Sequence, residues 1–198
     1  MSTPVLHLAS SSPRRRELLT ALGLDFTYEG VALDESALPG EAASDLVSRL
    51  AAAKARAAFE SGAHQVPVLG ADTVVTLDER TFGKPASKEE ALQMLASLSG
   101  RTHEVLSGVA VIANGDLETA ISRTEVQFRE IHPDEAEAYW QSGEPVGKAG
   151  AYAVQGLGGI FVSAINGSYT GVVGLPIFET ARLLRRAGIG LPGTPDHR

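Results

Sequence analysis

The sequence predicts an α/β protein with a mixed β-sheet and flanking helices. Short apolar runs rich in β-branched residues alternate with segments of helical periodicity, a pattern typical of strands paired in parallel. Two long β-rich runs flank Asn114-Gly115, a pair that favours a tight hairpin and therefore antiparallel strands. Parallel and antiparallel pairing together require a mixed sheet. The 198 residues fit one domain.

The first half of the chain is expected to hold two strands and two helices. A short buried strand precedes Ser12, which we expect to be the N-cap of a helix opened by Pro13 and stopped by Gly23. The apolar run at residues 66–77, broken by Gly70-Ala71-Asp72, predicts a central strand, and the interruption at Asp72 indicates a strand end there. The predicted elements are a strand at residues 5–9, helices at 13–22 and 44–59, and a strand at 66–77.

The second half is expected to start with a helix, because Ser87-Lys88-Glu89-Glu90 has the pattern of a capping box. Nine of the 21 glycines fall within residues 143–174, hereafter the glycine-rich segment. The last eight residues contain Gly and Pro and are expected to fray. The predicted elements are a helix from 87 to near 100, hairpin strands at 105–113 and 117–128, a helix at 133–141, a strand at 160–165 and a helix at 175–186.

Composition excludes several classes of function. The chain has no cysteine, so disulfides, thiolate metal sites and a cysteine nucleophile are ruled out. Its net charge of −7 disfavours general nucleic-acid binding, which needs a basic face. The first residues do not have the pattern of a signal peptide, and no apolar run is long enough to span a membrane. We therefore expect a cytoplasmic protein that binds neither nucleic acid nor membranes.

Residues 10–16, the arginine turn, read Ser-Ser-Ser-Pro-Arg-Arg-Arg at the start of a predicted helix. Cations are unfavourable at the positive end of a helix, whereas its free N–H groups, hydroxyls and guanidinium forks suit an anion. Ser10, Ser12, Arg14 and Arg15 are therefore candidate phosphate ligands. Successive residues are about 100° apart on a helix, so we expect Arg16 to face away. A capped surface helix with solvated arginines would give the same pattern.

Two charged residues interrupt apolar patterns. Lys54 lies on the apolar stripe of its helix, where it either extends its ammonium to water or points into a phosphate cleft. Asp72 lies in an apolar strand, where a carboxylate needs a partner, a metal or a raised pKa. An aspartate that bonds its own turn is the alternative. Glu35 and Lys84 occupy polar loop and turn positions and carry no separate signal.

The glycine-rich segment includes Gly147-Lys148-Ala149-Gly150-Ala151-Tyr152-Ala153-Val154-Gln155-Gly156. It matches neither a Walker A loop nor a dinucleotide fingerprint. Glycines allow the backbone to approach a ligand closely, and the Gln155 amide is suited to pairing with a base edge. A tight structural loop is the competing interpretation.

Taken in order, these stretches resemble the Maf family of nucleoside triphosphate pyrophosphatases. Any one motif is weak, but their order and spacing across residues 8–176 are specific. The matching stretches are Leu8-Ala9-Ser10-Ser11-Ser12-Pro13-Arg14-Arg15, Lys54-Ala55, Gly70-Ala71-Asp72-Thr73-Val74-Val75, Gly83-Lys84-Pro85, residues 148–156, Asn166-Gly167-Ser168-Tyr169 and Gly174-Leu175-Pro176. One departure is Gly147, where many members carry Asp, which removes a charge from the start of that stretch.

The resemblance implies a long mixed sheet, with two lobes around a central cleft as in inosine triphosphate pyrophosphatases. It implies a single domain over residues 1–190, homodimers, and hydrolysis of a nucleoside triphosphate to the monophosphate and pyrophosphate with a divalent cation, Mg²⁺ or Mn²⁺. The Ala-Tyr-Ala-Val-Gln-Gly stretch resembles the subgroup that acts on dTTP and UTP. By position, Asp72 matches the proton acceptor; Arg14, Thr73 and Gln155 match specificity positions; and Arg15, Glu35, Lys54 and Lys84 match the polar cleft.

From these roles we expect Asp72 to act as general base and to hold the metal together with Glu35. Two other functions stay open. Members of the family have been linked to septum formation, so a nucleotide-binding regulator of cell division with little catalysis is one. The other is a nucleic-acid-binding protein that uses the arginine turn.

Overall fold

The computed structural model describes residues 3–62 and 65–193. Two 3₁₀ turns, Ala149–Ala151 and Leu157–Phe161, lie in the glycine-rich segment. In chain order, the strands and α-helices are β1 Leu6–Leu8, α1 Pro13–Ala21, β2 Phe26–Tyr28, α2 Ala43–Glu60, β3 Val68–Leu77, β4 Arg80–Phe82, α3 Lys88–Leu98, β5 Thr102–Ala113, β6 Asp116–Phe128, α4 Pro133–Gln141, β7 Val162–Asn166, α5 Tyr169–Val173 and α6 Ile177–Arg186.

The seven described strands form one mixed sheet, as the sequence predicts. Six of them follow the order β2-β1-β3-β5-β6-β7, and β4 pairs with β3. Strand β1 is parallel to β2 and β3, and the other pairs are antiparallel. The predicted hairpin is present: Asn114 and Gly115 have φ of 54° and 90° between β5 and β6, as a type I′ turn requires.

Helix α2 crosses β3 and β5 at very short range because both strands carry a glycine at the crossing. A Cβ atom on Gly70 would lie 2.2 Å from the carbonyl oxygen of Ala51, and one on Gly108 would lie 2.6 Å from that of Val47. Neither distance is possible for a real side chain. The two glycines therefore set how near α2, and every side chain on its inner face, comes to the sheet.

The hydrophobic core is divided along the long strands. One end of β3 and β5 packs with α3 and α4 in a cluster that contains Leu95, Phe128 and Phe161. The other end packs with α1 and α6 in a cluster that contains Leu19 and Leu183. Both strands contribute to both clusters. Each cluster is the core of one lobe, the two lobes share the sheet, and the middle of β3 lies between them.

Two predicted boundaries near the carboxyl end are wrong. The strand expected at 160–165 begins at Val162, because residues up to Phe161 form a 3₁₀ turn. The helix expected at 175–186 is preceded by a separate short helix, α5, and α6 starts only at Ile177. Pro176 explains the break, since a proline disfavours helical conformation in the residue before it.

The tail predicted to fray, 191–198, lies partly outside the described residues, which end at 193. Leu191 is buried against the core cluster that contains Leu183. In the described ranges, no helix combines the length and the apolar character needed to cross a membrane.

Candidate functional site

The candidate site opens at a gap along one edge of β3. Strand β5 pairs with residues 68–76 along the opposite edge, whereas β1 pairs only with residues 68–69 and β4 only with residues 75–77. Residues 70–74 lie between them, and among the described residues no strand pairs with that stretch on the β1/β4 edge. Asp72 and Thr73 are in the middle of this gap. The expectation that Asp72 ends a strand is wrong: β3 continues through it, and the strand that ends nearby is its neighbour β1.

A cleft of about 1150 Å³ occupies the gap and runs between the two lobes. Its walls come from the arginine turn, α2, β3, the loop after β4 and the glycine-rich segment. The structure brings all ten site residues predicted from the sequence to this one cleft: Ser10, Ser12, Arg14, Arg15, Glu35, Lys54, Asp72, Thr73, Lys84 and Gln155.

Four of these residues form a chain of alternating charge. The Lys54 ammonium donates to Asp72 Oδ1 at 2.6 Å and lies 2.5 Å from Glu35 Oε1. Lys84 donates to the other oxygen of Glu35 at 2.9 Å. Lys54 is only 6% exposed and Asp72 only 7%, so their pairing is shielded from water. Lys54 points into the cleft rather than extending to bulk solvent.

The two lysines also determine the charge state of Glu35. Its partial burial alone would raise the pKa of the carboxyl group, but the hydrogen bonds and positive charges of Lys54 and Lys84 outweigh burial and lower the pKa to about 2. Glu35 is therefore ionised throughout the neutral range.

The three arginines of the turn have different environments. Arg15 is fixed by the protein: Nε donates to the Gly174 carbonyl at 2.9 Å, Nη1 to Ser10 Oγ at 3.2 Å and Nη2 to Thr73 Oγ1 at 3.4 Å. Arg14 lines the cleft, and its buried Nε has no hydrogen-bond partner among the described residues. Arg16 stacks on the Tyr28 ring, 4.3 Å from its centre, outside the cleft. Within the cleft, Arg14 therefore has more donors left for a ligand than Arg15, whose Nε, Nη1 and Nη2 each already make a hydrogen bond.

Ser12 and Thr73 are placed in the cleft in different ways. Ser12 is the N-cap residue of α1, as predicted, but its side chain makes no capping hydrogen bond and faces the cleft. Thr73 is held by Ser107 at 2.8 Å, and Ser107 donates in turn to the Gly171 carbonyl at 2.7 Å. This relay connects β3 to α5 and fixes the Thr73 hydroxyl beside Arg15.

The glycine-rich segment forms another wall of the cleft. Gln155 is exposed in the cleft, and its amide has no hydrogen-bond partner among the described residues. Sequence reasoning missed two charged residues here, Glu144 and Lys148, which also line the cleft. Burial and the nearby Arg14 lower the pKa of Lys148. The signal for Lys148 was its place inside the matching stretch, whereas Glu144, in Gly143-Glu144-Pro145, resembles an ordinary turn.

The carboxylates of the cleft could hold a magnesium or manganese ion only together with oxygen ligands from a bound substrate. Both Glu35 and Asp72 contact Lys54, so their contacting oxygens lie within about 5 Å of each other. Among the described residues, no cluster of three or more Asp, Glu, His or Cys side chains could hold a metal by itself. Mg²⁺ commonly uses one or two carboxylates together with substrate phosphates. Two carboxylates in a cleft that is also lined by arginine and lysine side chains fit that requirement.

These features define an α/β protein whose interlobe cleft is built for a polyanion, with cations on its walls and two carboxylates at its centre. The chain belongs to the Maf family: the model of that family, described as "Maf-like protein", matches residues 5–187.

Relatives of known designation cover nearly the whole chain. A dTTP/UTP pyrophosphatase of Bordetella avium (strain 197N) is 52% identical over 197 residues, 96% of this chain and 98% of that protein. Two further proteins carry the same designation. The one from Methylococcus capsulatus is 52% identical and covers 93% of this chain and 92% of its own length. The one from Pseudoalteromonas translucida is 49% identical and covers 92% of this chain and 97% of its own length.

Two solved structures show a weaker likeness. A nucleoside-triphosphatase (dITP/XTP pyrophosphatase) from Mycobacterium abscessus has a TM-score of 0.39 and 16% identity, covering 62% of this chain and 72% of its own. The Ham1 protein of Staphylococcus aureus has a TM-score of 0.42 and 17% identity, covering 65% and 72%. Likenesses of this size carry no functional argument.

Proposed function

We propose that this protein hydrolyses dTTP and UTP to the nucleoside monophosphate and pyrophosphate, with residues 1–190 acting as one domain. The observation that carries the proposal is Asp72, a buried carboxylate at an open strand edge, paired with Lys54 and faced by the arginine turn. The designation of the relatives, at about half the residues identical, supports the choice of substrate.

In this proposal Asp72 is the general base. Lys54 holds Oδ1 at 2.6 Å, and Oδ2 accepts no hydrogen bond from a described residue, so it is the oxygen suited to take a proton from water. The activated water attacks the α-phosphorus, and pyrophosphate leaves. Such reactions depend mostly on positioning and charge neutralisation.

The cations of the cleft bind the triphosphate. Arg14 donates to phosphate oxygens directly, Lys54 and Lys84 neutralise phosphate charge, and Ser10, Ser12 and the start of α1 supply further donors. Arg15 fixes Ser10 and Thr73 in place. A divalent ion, Mg²⁺ or Mn²⁺, would be held by Glu35, Asp72 and the phosphates, and it would add charge neutralisation there.

The first experiment is a screen for pyrophosphate release from dTTP, UTP, CTP, ATP and GTP with Mg²⁺ or Mn²⁺. Asp72→Asn should lower kcat by about 10²- to 10⁴-fold, because the general base is lost. The fold should survive, because Lys54 keeps its contact with Glu35. Asp116→Asn, at an exposed hairpin position, is the matched control and should behave as wild type. Near-normal release by Asp72→Asn would refute the role assigned to Asp72.

Base selection is assigned to Gln155, with Thr73 and Arg14 beside the sugar and phosphates. A site built to hydrogen-bond a base rejects analogues strongly, because its polar groups are otherwise left unpaired. Gln155→Ala should therefore lower the ratio of UTP to GTP kcat/KM by about tenfold or more. An unchanged ratio would contradict this assignment.

A regulator of cell division with little catalysis is the competing function. It predicts nucleotide binding without pyrophosphate release, which the same screen detects. The designations of the relatives do not favour it. Nucleic-acid binding through the arginine turn is disfavoured by the net charge of −7 and predicts salt-dependent affinity for DNA or RNA above that for triphosphates. A homodimer and a cytoplasmic location remain predictions, testable by light scattering and by cell fractionation.

A further inference from the structure

The Glu144 carboxylate is hydrogen-bonded to the backbone that follows Gln155. Its Oε1 accepts a hydrogen bond from the Tyr139 hydroxyl at 2.6 Å and from the Gly158 amide at 2.8 Å. Its Oε2 accepts from the Leu157 amide at 2.9 Å. The carboxylate is therefore occupied by two backbone N–H groups just after Gln155 and by a side chain of α4.

Tyr139 holds the other side of the same stretch. Its hydroxyl oxygen accepts a hydrogen bond from the Ala153 amide at 3.1 Å, two residues before Gln155. The ring is buried and packs edge-on against Phe161, 5.1 Å between centres. The hydroxyl thus receives from Ala153 and donates to Glu144, and one hydrogen-bonded pair joins both flanks of Gln155 to α4.

Gly156 shows how tightly the backbone wraps the carboxylate. A Cβ atom at this position would lie 2.0 Å from Glu144 Oε2, so no side chain fits there without moving Glu144. Gln155 is consequently the exposed residue of a turn. Ala153 on one side of it bonds to Tyr139, and Leu157 and Gly158 on the other side bond to Glu144.

We propose that Glu144 and Tyr139 are the positioning residues for base selection, fixing the backbone from which Gln155 meets the base edge. The inference rests on the proposed function in that it takes Gln155 as the base-contacting residue. An unanchored loop loses conformational entropy when it orders on a ligand, and that loss weakens binding. Anchors present before binding avoid that loss, and they limit the Gln155 amide to one geometry that fits one class of base.

Equilibrium affinities for UTP and GTP provide the test, measured by calorimetry with Mg²⁺ in an Asp72→Asn background so that no turnover occurs. Glu144→Ala should lower the ratio of UTP to GTP affinity by about tenfold, and Tyr139→Phe by about three- to tenfold. Glu144→Gln keeps one acceptor oxygen and should give an intermediate ratio. Glu137→Gln is the matched control, because Glu137 lies on α4 like Tyr139 but pairs with Lys88 at the surface. It should leave the ratio of UTP to GTP affinity unchanged.

Coupling to Gln155 separates positioning from general stability. In a Gln155→Ala background, adding Glu144→Ala should change the ratio by less than about twofold, because the group being positioned is already absent. If Glu144→Ala is unstable, Tyr139→Phe carries the test, since it keeps the buried ring. Equal weakening of UTP and GTP, or full additivity with Gln155→Ala, would overturn the proposal.

Failure of the proposed function gives a different result. In that case protein with Asp72 intact would bind UTP in preference to GTP yet release no pyrophosphate. A UTP preference that depends on Glu144 would still support positioning, whereas protein that binds neither triphosphate would overturn both proposals.

Discussion

At the scale of the residue, Lys54 is the centre of the site. It is the cation between Glu35 and Asp72, and it is buried with Asp72 where water cannot screen them. Helical periodicity places Lys54 on the apolar face of α2, which leaves two explanations open. The choice between solvent and cleft depends on Asp72, 18 residues away in sequence, and no local pattern records that contact.

Lys54→Met should destabilise the fold by about 3 kcal/mol, because it leaves the buried Asp72 carboxylate without its cation and close to Glu35, which keeps only Lys84. Lys88→Met is the matched control. It breaks an ion pair of similar length with Glu137, but both partners there are about 40% exposed, so less than about 1 kcal/mol should be lost. Urea unfolding at pH 7 measures both free energies. Equal losses would contradict the view that burial makes the Lys54 pair important.

At the scale of the element, the contact between α2 and the sheet determines where Lys54 can reach. Both the helix and the strands were predicted from periodicity, with boundaries close to those observed. What periodicity does not contain is the distance between them. That distance is set by Gly70 and Gly108, whose missing side chains let the backbone of α2 approach β3 and β5.

Gly70→Ala should destabilise the protein by about 2 to 3 kcal/mol, because its Cβ would overlap the Ala51 carbonyl oxygen. The forced shift of α2 would also move Lys54 away from Asp72, so pyrophosphate release should fall by about 10²-fold. Gly190→Ala is the control: a Cβ there meets nothing within 4 Å. It should change stability by less than about 1 kcal/mol, measured by urea unfolding. Equal effects of the two substitutions would contradict this view of the α2 contact.

At the scale of the whole molecule, two cores at opposite ends of shared strands leave the middle of β3 open. The core that includes the glycine-rich segment contains His103, which is 2% exposed, bonded to the Tyr152 hydroxyl at 2.8 Å and packed against Phe128. Burial lowers the pKa of His103 from about 6.5 to about 4. Protonation of this side chain is therefore coupled to unfolding of the molecule.

The sign of the pH dependence follows from that pKa. Between about pH 6.5 and pH 4 the unfolded chain binds a proton at His103 that the folded chain does not, so stability falls as the pH falls through this window. From pH 7 to pH 5 the loss should be about 2 kcal/mol. Urea unfolding of wild type and His103→Gln at the two pH values measures it, and the variant should lose about 2 kcal/mol less. An equal pH dependence in both proteins would contradict the assignment to His103.

Much of this protein follows from local sequence. Periodicity, capping residues and Asn114-Gly115 predict the α/β class, the hairpin and most helices, because these depend on neighbours within a few positions. The cations of the arginine turn indicate an anion site for the same reason: they oppose the dipole of their own helix. Resemblance supplied the remaining site residues, since Glu35 and Lys84 carry no pattern of their own.

The way those residues are arranged together depends on tertiary contacts that local sequence does not predict. Asp72 lies at an open strand edge because β1 ends and β4 begins on either side of it, and Arg15 is held in place because three of its five N–H groups bond to Ser10, Thr73 and Gly174. Glu144 was invisible in sequence because its partners are mostly backbone amides, which every residue type except proline provides. A chain fixes its local conformations residue by residue, whereas charge pairing, burial and strand edges depend on segments far apart in sequence.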